Sequence, residues 1–97
     1  MKVVSEDSLK DYAKLHPNAT APIARWLKLT KVANCKNLHD VKYHFPSVDY
    51  IPQNQYCFNI GGNNYRLISV ISFQLGVVTV LDILSHAEYT KKKLKSR

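Results

Sequence analysis

Paired cysteines, long apolar runs and glycine are all scarce in this chain of 97 residues, which has two Cys and three Gly. Cys35 and Cys57 lack the C-x-x-C spacing of a zinc or redox site, and no further cysteine or suitably spaced histidine completes one. Neither a metal nor a cofactor is therefore expected, and both thiols are read as free in a reducing cytoplasm. No segment approaches the roughly 20 apolar residues of a membrane span. The opening MKVVSEDSLK turns polar after two valines, unlike the apolar run of a signal peptide. Acidic groups are few as well. Seven Asp and Glu stand against fourteen Lys and Arg, a net charge of +7 that favours an anionic partner such as nucleic acid or an acidic protein. Five of the basic groups fall in residues 91–97, KKKLKSR, which leaves nine basic against seven acidic groups in the rest of the chain. A frayed, soluble tail at 91–97 is thus an alternative account of the charge. The length suits a single domain, 1–97, with one modest core.

The periodicity of the first half is helical. After a short strand at Val3 and Val4, Ser5 reads as an N-cap with Glu6 and Asp7 in the first turn. Leu9, Tyr12, Ala13 and His16 then share one helix face, and Pro17 stops the helix. A second helix starts at Thr20 or Ala21 with Pro22 in its first turn, and Ile23, Trp26, Leu27, Thr30 and Ala33 form its apolar face. Arg25, Lys28 and Lys31 lie on the opposite side, as a basic stripe for RNA or as a solvated face. Asn37 caps a short helix closed by Pro46. The period then changes to two: Tyr56, Phe58 and Ile60 alternate with polar or small residues, GGN turns the chain, and Tyr65, Leu67, Ser69, Ile71 and Phe73 mark one face of the return strand. After a turn at Gln74 to Gly76, VVTVLDIL makes another strand. Helices followed by a meander indicate an α+β fold: an antiparallel twisted sheet with two main N-terminal helices packed on one face.

Cleaving RNA without a metal requires a base for the 2′-hydroxyl, a cation for the charge on phosphate and an acid for the departing 5′-oxygen. Arg66, His86, Tyr89 and nearby lysines are candidates for these roles. If GGN closes its hairpin symmetrically, Asn59 and Arg66 are cross-strand neighbours and the amide can orient the guanidinium. A strand arginine can equally be structural. His86 and Tyr89, three residues apart, fall on one side of a helical turn, where they either converge on a ligand or cap the strand and cover the core. Histidine titrates near neutral pH, and a tyrosine ring can stack on an exposed base. His16, His39 and His44 read as packing or surface residues, and Trp26 as core.

The segments FPSVDYI, YCFNIGGNNYRLISVISF and ILSHAEYTK, with the opening MKVVS and the HP after the first helix, resemble the HigB-type toxins of bacterial type II toxin-antitoxin systems, within the RelE-like superfamily of mRNA interferases. The resemblance covers nearly the whole chain, and the order and spacing of its motifs carry it. It implies a RelE-like fold and a ribosome-dependent endoribonuclease. Such an enzyme cleaves translated mRNA by metal-independent 2′-hydroxyl attack, arrests translation, and is neutralised by a helix-turn-helix, HigA-like antitoxin with which a heterotetramer is expected. The family pattern matches Phe58, Asn59, Asn63, Tyr65, Arg66, Leu67, His86, Glu88 and Tyr89. It implies that Arg66 stabilises phosphate charge, that His86 and Tyr89 are the acid-base candidates, and that Lys91 and Lys92 add positive charge against mRNA or ribosomal RNA; Asn59, Asn63, Lys93 and the stripe of Arg25, Lys28 and Lys31 are read beside them as RNA contacts.

The chain departs from that pattern at Leu81 and Asp82, where such toxins often carry a basic residue near the end of the last strand. If the second hairpin has an odd-length turn, Asp82 shares a face with Arg66. A carboxylate there opposes phosphate binding. The alternative reading is therefore a catalytically attenuated homologue that binds antitoxin or RNA without cleaving.

Overall fold

The computed structural model describes residues 1–51 and 53–95, with side chains as far as Lys91. The chain runs β1 (Lys2–Val4), α1 (Asp7–Leu15), a 3₁₀ turn (Pro17–Ala19), α2 (Thr20–Val32), α3 (Leu38–His44), β2 (Asp49–Ile51), β3 (Gln55–Ile60), β4 (Tyr65–Ser72), β5 (Val77–Ser85) and α4 (His86–Lys95). Among the described residues these strands form one five-stranded sheet in the order β1-β5-β4-β3-β2. The result is an α+β architecture.

Each helix boundary has a local cause. Pro17 comes just after His16, the C-cap of α1, Pro22 lies in the first turn of α2, and the Asn37 side chain accepts from the Asp40 amide at 3.0 Å to start α3. Ser5 does not act as the cap that its sequence suggests. Its φ is +66°, its carbonyl accepts from Ser8, and α1 begins at Asp7 with no side-chain cap. At the other end of α2, the α-amino group of Met1 donates to the carbonyls of Thr30 (3.0 Å) and Ala33 (2.6 Å), placing a cation at a helix C-terminus.

The core lies between the helices and one face of the sheet. Leu9 of α1 and Ile23 and Trp26 of α2 are buried against Phe58, Leu67, Val78, Val80 and Ile83. Trp26 and Phe45 meet Phe58 edge-on at 5.4 and 5.0 Å between ring centres, and Tyr12 meets Tyr65 at 5.9 Å. Trp26 is therefore a core residue, while His16 stacks on Tyr12 at 4.1 Å.

The sheet is mixed, which corrects the expectation of a wholly antiparallel one. β1 pairs in parallel with β5, Lys2 opposite Val77 and Val4 opposite Thr79. Hairpin patterns reveal only strands adjacent in sequence, whereas a parallel pair needs a long crossover, supplied here by the intervening helices and hairpins. A further edge strand, β2, pairs with the start of β3. In β5 one extra residue, Leu81, separates the pair Ile68–Asp82 from the pair Ser69–Val80. This bulge lets Val78 and Val80 before it and Ile83 after it face the same core. It also puts Asp82 on the face of Arg66. The shared face thus arises from the bulge, since the β4–β5 turn between Ser72 and Val77 is even in length.

Among the described residues, no helix is long and apolar enough to cross a membrane. The backbone of the basic tail continues α4 to Lys95.

The β3–β4 turn rests on α2. Gly61 and Gly62 have φ of +60° and +67°, and a Cβ on Gly61 would lie 3.2 Å from Cγ of Pro22, whereas one on Gly62 would meet nothing within 4 Å. Either alanine substitution is expected to cost about 1–2 kcal/mol of backbone strain. Gly61→Ala should lose more, because Pro22 must also give way. Denaturant midpoints of the two variants test this, and equal losses would show that the Pro22 contact carries no strain.

Candidate active site

The site is built on a hairpin and the helix that follows the last strand. The turn Gly61–Asn64 joins β3 to β4 with Ile60 opposite Tyr65, which sets Asn59 opposite Arg66 as expected from a symmetric closure. At the far end of β5, the His86 amide donates to the Asn64 carbonyl at 2.8 Å and locks the start of α4 onto the same turn. Ser85 and Glu88 strengthen that start with reciprocal bonds: the Ser85 amide donates to the Glu88 carboxylate at 2.9 Å, and the Glu88 amide donates to Oγ of Ser85 at 3.1 Å. This is a capping box, and its S-x-x-E signature stands in the sequence from Ser85 to Glu88.

Three of the candidate residues meet. Arg66 donates through Nη1 to the carbonyls of Asn63 (3.1 Å) and Tyr65 (3.2 Å), and through Nη2 to Oδ1 of Asn63 (3.4 Å). Nη2 also lies 3.1 Å from Nδ1 of His86, and the guanidinium carbon is 5.9 Å from the centre of the Tyr89 ring. Asn63 is therefore the amide that orients the guanidinium, where Asn59 was expected; an amide within the turn reaches back along the strand more directly than one across it. A guanidinium only donates, so Nδ1 of His86 is the acceptor in this contact and a neutral imidazole carries its proton on Nε2.

Tyr89 covers the sheet face opposite to the core, over Cys57 and Arg66. Burial, followed by the charge and hydrogen bond of Cys57 and the charge of Asp49, pushes its hydroxyl above the usual tyrosine range, against a smaller opposing pull from Arg66. The phenol is thus an O–H donor at neutral pH, and it is the ring that approaches the guanidinium.

The remaining candidates are spread more widely. Arg25, Lys28 and Lys31 are exposed on α2, which packs on the other side of the sheet from Tyr89, and Lys31 is paired with Glu6 at 3.0 Å. Asn59 is half-buried and lines a groove beside Arg25. Lys91 is exposed on α4. The side chains of Lys92 and Lys93 lie outside the described residues. Asp82 accepts from the Ile83 amide at 2.8 Å.

The capping box makes the site acid-sensitive. Hydrogen bonds from the Ser85 amide and then its side chain hold the Glu88 carboxyl below its ordinary value, assisted by His16. A depressed carboxyl stabilises α4 above its unfolded-state value, and that contribution disappears as pH falls through the folded one. Hydrogen exchange at residues 86–90 should accordingly accelerate on acidification, beyond its intrinsic pH dependence. Glu88→Gln keeps an acceptor but should abolish the effect. Identical acid responses in the two proteins would exclude Glu88 as its source.

The chain is 26% identical over 92 residues to the mRNA interferase toxin HigB of Escherichia coli strain K12, covering 92% of this chain and 88% of that protein. It is 27% identical over 93 residues to the mRNA interferase HigB of Escherichia coli O6:H1, covering 94% and 90%. A model of the HigB toxin family, described as the RelE-like toxic component of a toxin-antitoxin system, matches residues 19–92, a span that includes α2, the β3–β4 hairpin and His86 to Tyr89, and the chain therefore belongs to that family.

Proposed function

We propose that the chain is an endoribonuclease that cuts translated mRNA on the ribosome in the cytoplasm, and that a helix-turn-helix antitoxin restrains it in a heterotetramer. The observation that carries this reading is the 3.1 Å contact between Arg66 and Nδ1 of His86. A phosphate binding the guanidinium competes for the N–H that His86 now accepts, and its charged oxygens form stronger bonds than a neutral ring nitrogen does. Displacement frees the Nδ1 lone pair beside the bound phosphate. There it accepts the 2′-hydroxyl proton while the 2′-oxygen attacks phosphorus and the bond to the 5′-oxygen breaks. Arg66 neutralises the charge on the pentacoordinate phosphate. The departing 5′-oxygen takes a proton from Tyr89 or from solvent, and the products are a 2′,3′-cyclic phosphate and a 5′-hydroxyl.

Asn63 fixes the guanidinium in this scheme, and Asn59, Lys91, Lys92, Lys93 and the stripe of Arg25, Lys28 and Lys31 supply contacts to mRNA or ribosomal RNA. A second reading is favoured by Asp82, which stands on the same sheet face as Arg66: a homologue with weakened cleavage that still binds antitoxin or RNA.

Cleavage of ribosome-bound mRNA separates the readings. Arg66→Ala should fold and lose about 10²–10³-fold in rate, on the order of 3–4 kcal/mol of transition-state stabilisation. His86→Gln should fall similarly. A folded variant of either kind that cuts at the wild-type rate removes that residue from the chemistry, and a wild-type protein that arrests nothing and cuts nothing favours the second reading.

Tyr89→Phe keeps the ring and Tyr89→Ala does not. Because the ring faces Arg66, the alanine variant should lose more activity. Equal losses would assign the role to the hydroxyl. Product ends carrying a 5′-phosphate would indicate attack by water and overturn the 2′-hydroxyl mechanism.

A further inference from the structure

A groove of about 310 Å³ lies on the core side of the sheet, between α2 and the turn that holds Arg66. Its wall is apolar, formed by Pro22, Trp26, Leu29, Phe45 and Ile60. Leu29 is 38% exposed and Val32, one turn further along the helix, is 75% exposed, so the apolar surface continues along α2 beyond the groove. Arg25 lines the groove with Asn59, and Lys28 is exposed on the same helix. Among the described residues neither Arg25 nor Lys28 has an ion pair, whereas Lys31 is held by Glu6. β2 pairs with β3 only from Gln55 to Cys57, leaving the groove side of β3 uncovered by a strand from Phe58 onward.

An apolar centre with cations at its rim has the anatomy of a protein-binding surface. Its apolar centre offers bases no place to stack, so the RNA contacts assigned above to Arg25 and Lys28 are with phosphates at the rim. Bases need an open aromatic face to stack on, and Trp26 is 4% exposed. Charge complementarity requires carboxylates in the occupant, and the Leu29–Val32 strip requires apolar side chains between them.

We propose that this groove is the docking site of an acidic, amphipathic segment of the antitoxin. The proposal rests on the toxin reading above and adds a location to it. The groove also touches the chemistry at one remove. Gly61 and Gly62 line it, Gly61 lies against Pro22, and the next residue, Asn63, holds the Arg66 guanidinium. An occupant that shifts the turn therefore acts on Arg66 without covering it.

The test uses the whole chain co-expressed with the product of the adjacent reading frame. Leu29→Glu places a carboxylate in the groove from a partly exposed position outside the cleavage machinery. Leu75→Glu, on the 76% exposed Leu75 of the distant β4–β5 turn, is the control. Leu29→Glu should weaken the complex about thirtyfold or more, as loss of a central anchor does. It should also cut mRNA within about twofold of wild type and escape neutralisation in growing cells, while Leu75→Glu binds normally. In the wild-type complex, hydrogen exchange should slow in residues 20–33 and 58–63.

Equal binding by Leu29→Glu and wild type, or equal weakening in both variants, overturns the docking site. So does protection confined to residues 84–91, which would place the antitoxin on the active site itself. If Leu29→Glu loses cleavage but keeps the antitoxin, the groove faces the ribosome and the proposal is wrong. Absence of any wild-type complex rejects the docking site while leaving the cleavage reading to its own assay.

Discussion

Strand β5 faces a conflict that one residue resolves. Strict alternation from Val78 and Val80 would next point Asp82 into the core, where an ionised carboxylate without a partner is costly. The bulge at Leu81 absorbs one position, returns Asp82 to the outer face and sends Ile83 inward. Its effects run down the strand. With the register shifted, Ser85 ends opposite Tyr65, His86 reaches the Asn64 carbonyl, and Tyr89 comes to lie over Arg66. The core and the site are thus both set by the same local irregularity.

Arg66 is the point where these elements meet, and it is bound before any substrate arrives. Its partners are two carbonyls, one amide oxygen and one ring nitrogen, all neutral. Such a set fixes the direction of the guanidinium while leaving its charge uncompensated by those groups. A carboxylate in their place would hold the arginine more firmly and bind phosphate less well. Asp82 stands two positions along the same face, opposite Ile68 on the neighbouring strand.

Much of this arrangement was legible from residue spacing. The pair Asn59–Arg66 follows from a symmetric GGNN turn, and the convergence of His86 with Tyr89 follows from their placement on one helical turn after a strand. The proline boundaries and the Asn37 cap were equally local. What escaped the sequence depended on distance or on competition between nearby groups. The parallel pairing of β1 joins residues far apart in the chain, and no hairpin signal announces it. Ser5 has the right side chain for a cap but adopts a positive φ, so its hydroxyl leaves that role. Asn63 and Asn59 are chemically identical candidates for Arg66, and only the path of the turn distinguishes them. The bulge did leave a trace, since the apolar phase of VVTV and that of LDIL differ by one, but a reading strand by strand treats them as one run.

The pairing of Lys2 with Val77 also carries the longest loop closure among the paired strands. The hairpins that carry Arg66 and His86 join neighbouring segments, whose loop-closure entropy is small, whereas β1 meets β5 only after the ends of a long loop are brought together. Without β1, the edge of β5 opposite β4 would present unpaired backbone groups. Covering that edge with β1 therefore removes a place where the sheet could be extended by another chain.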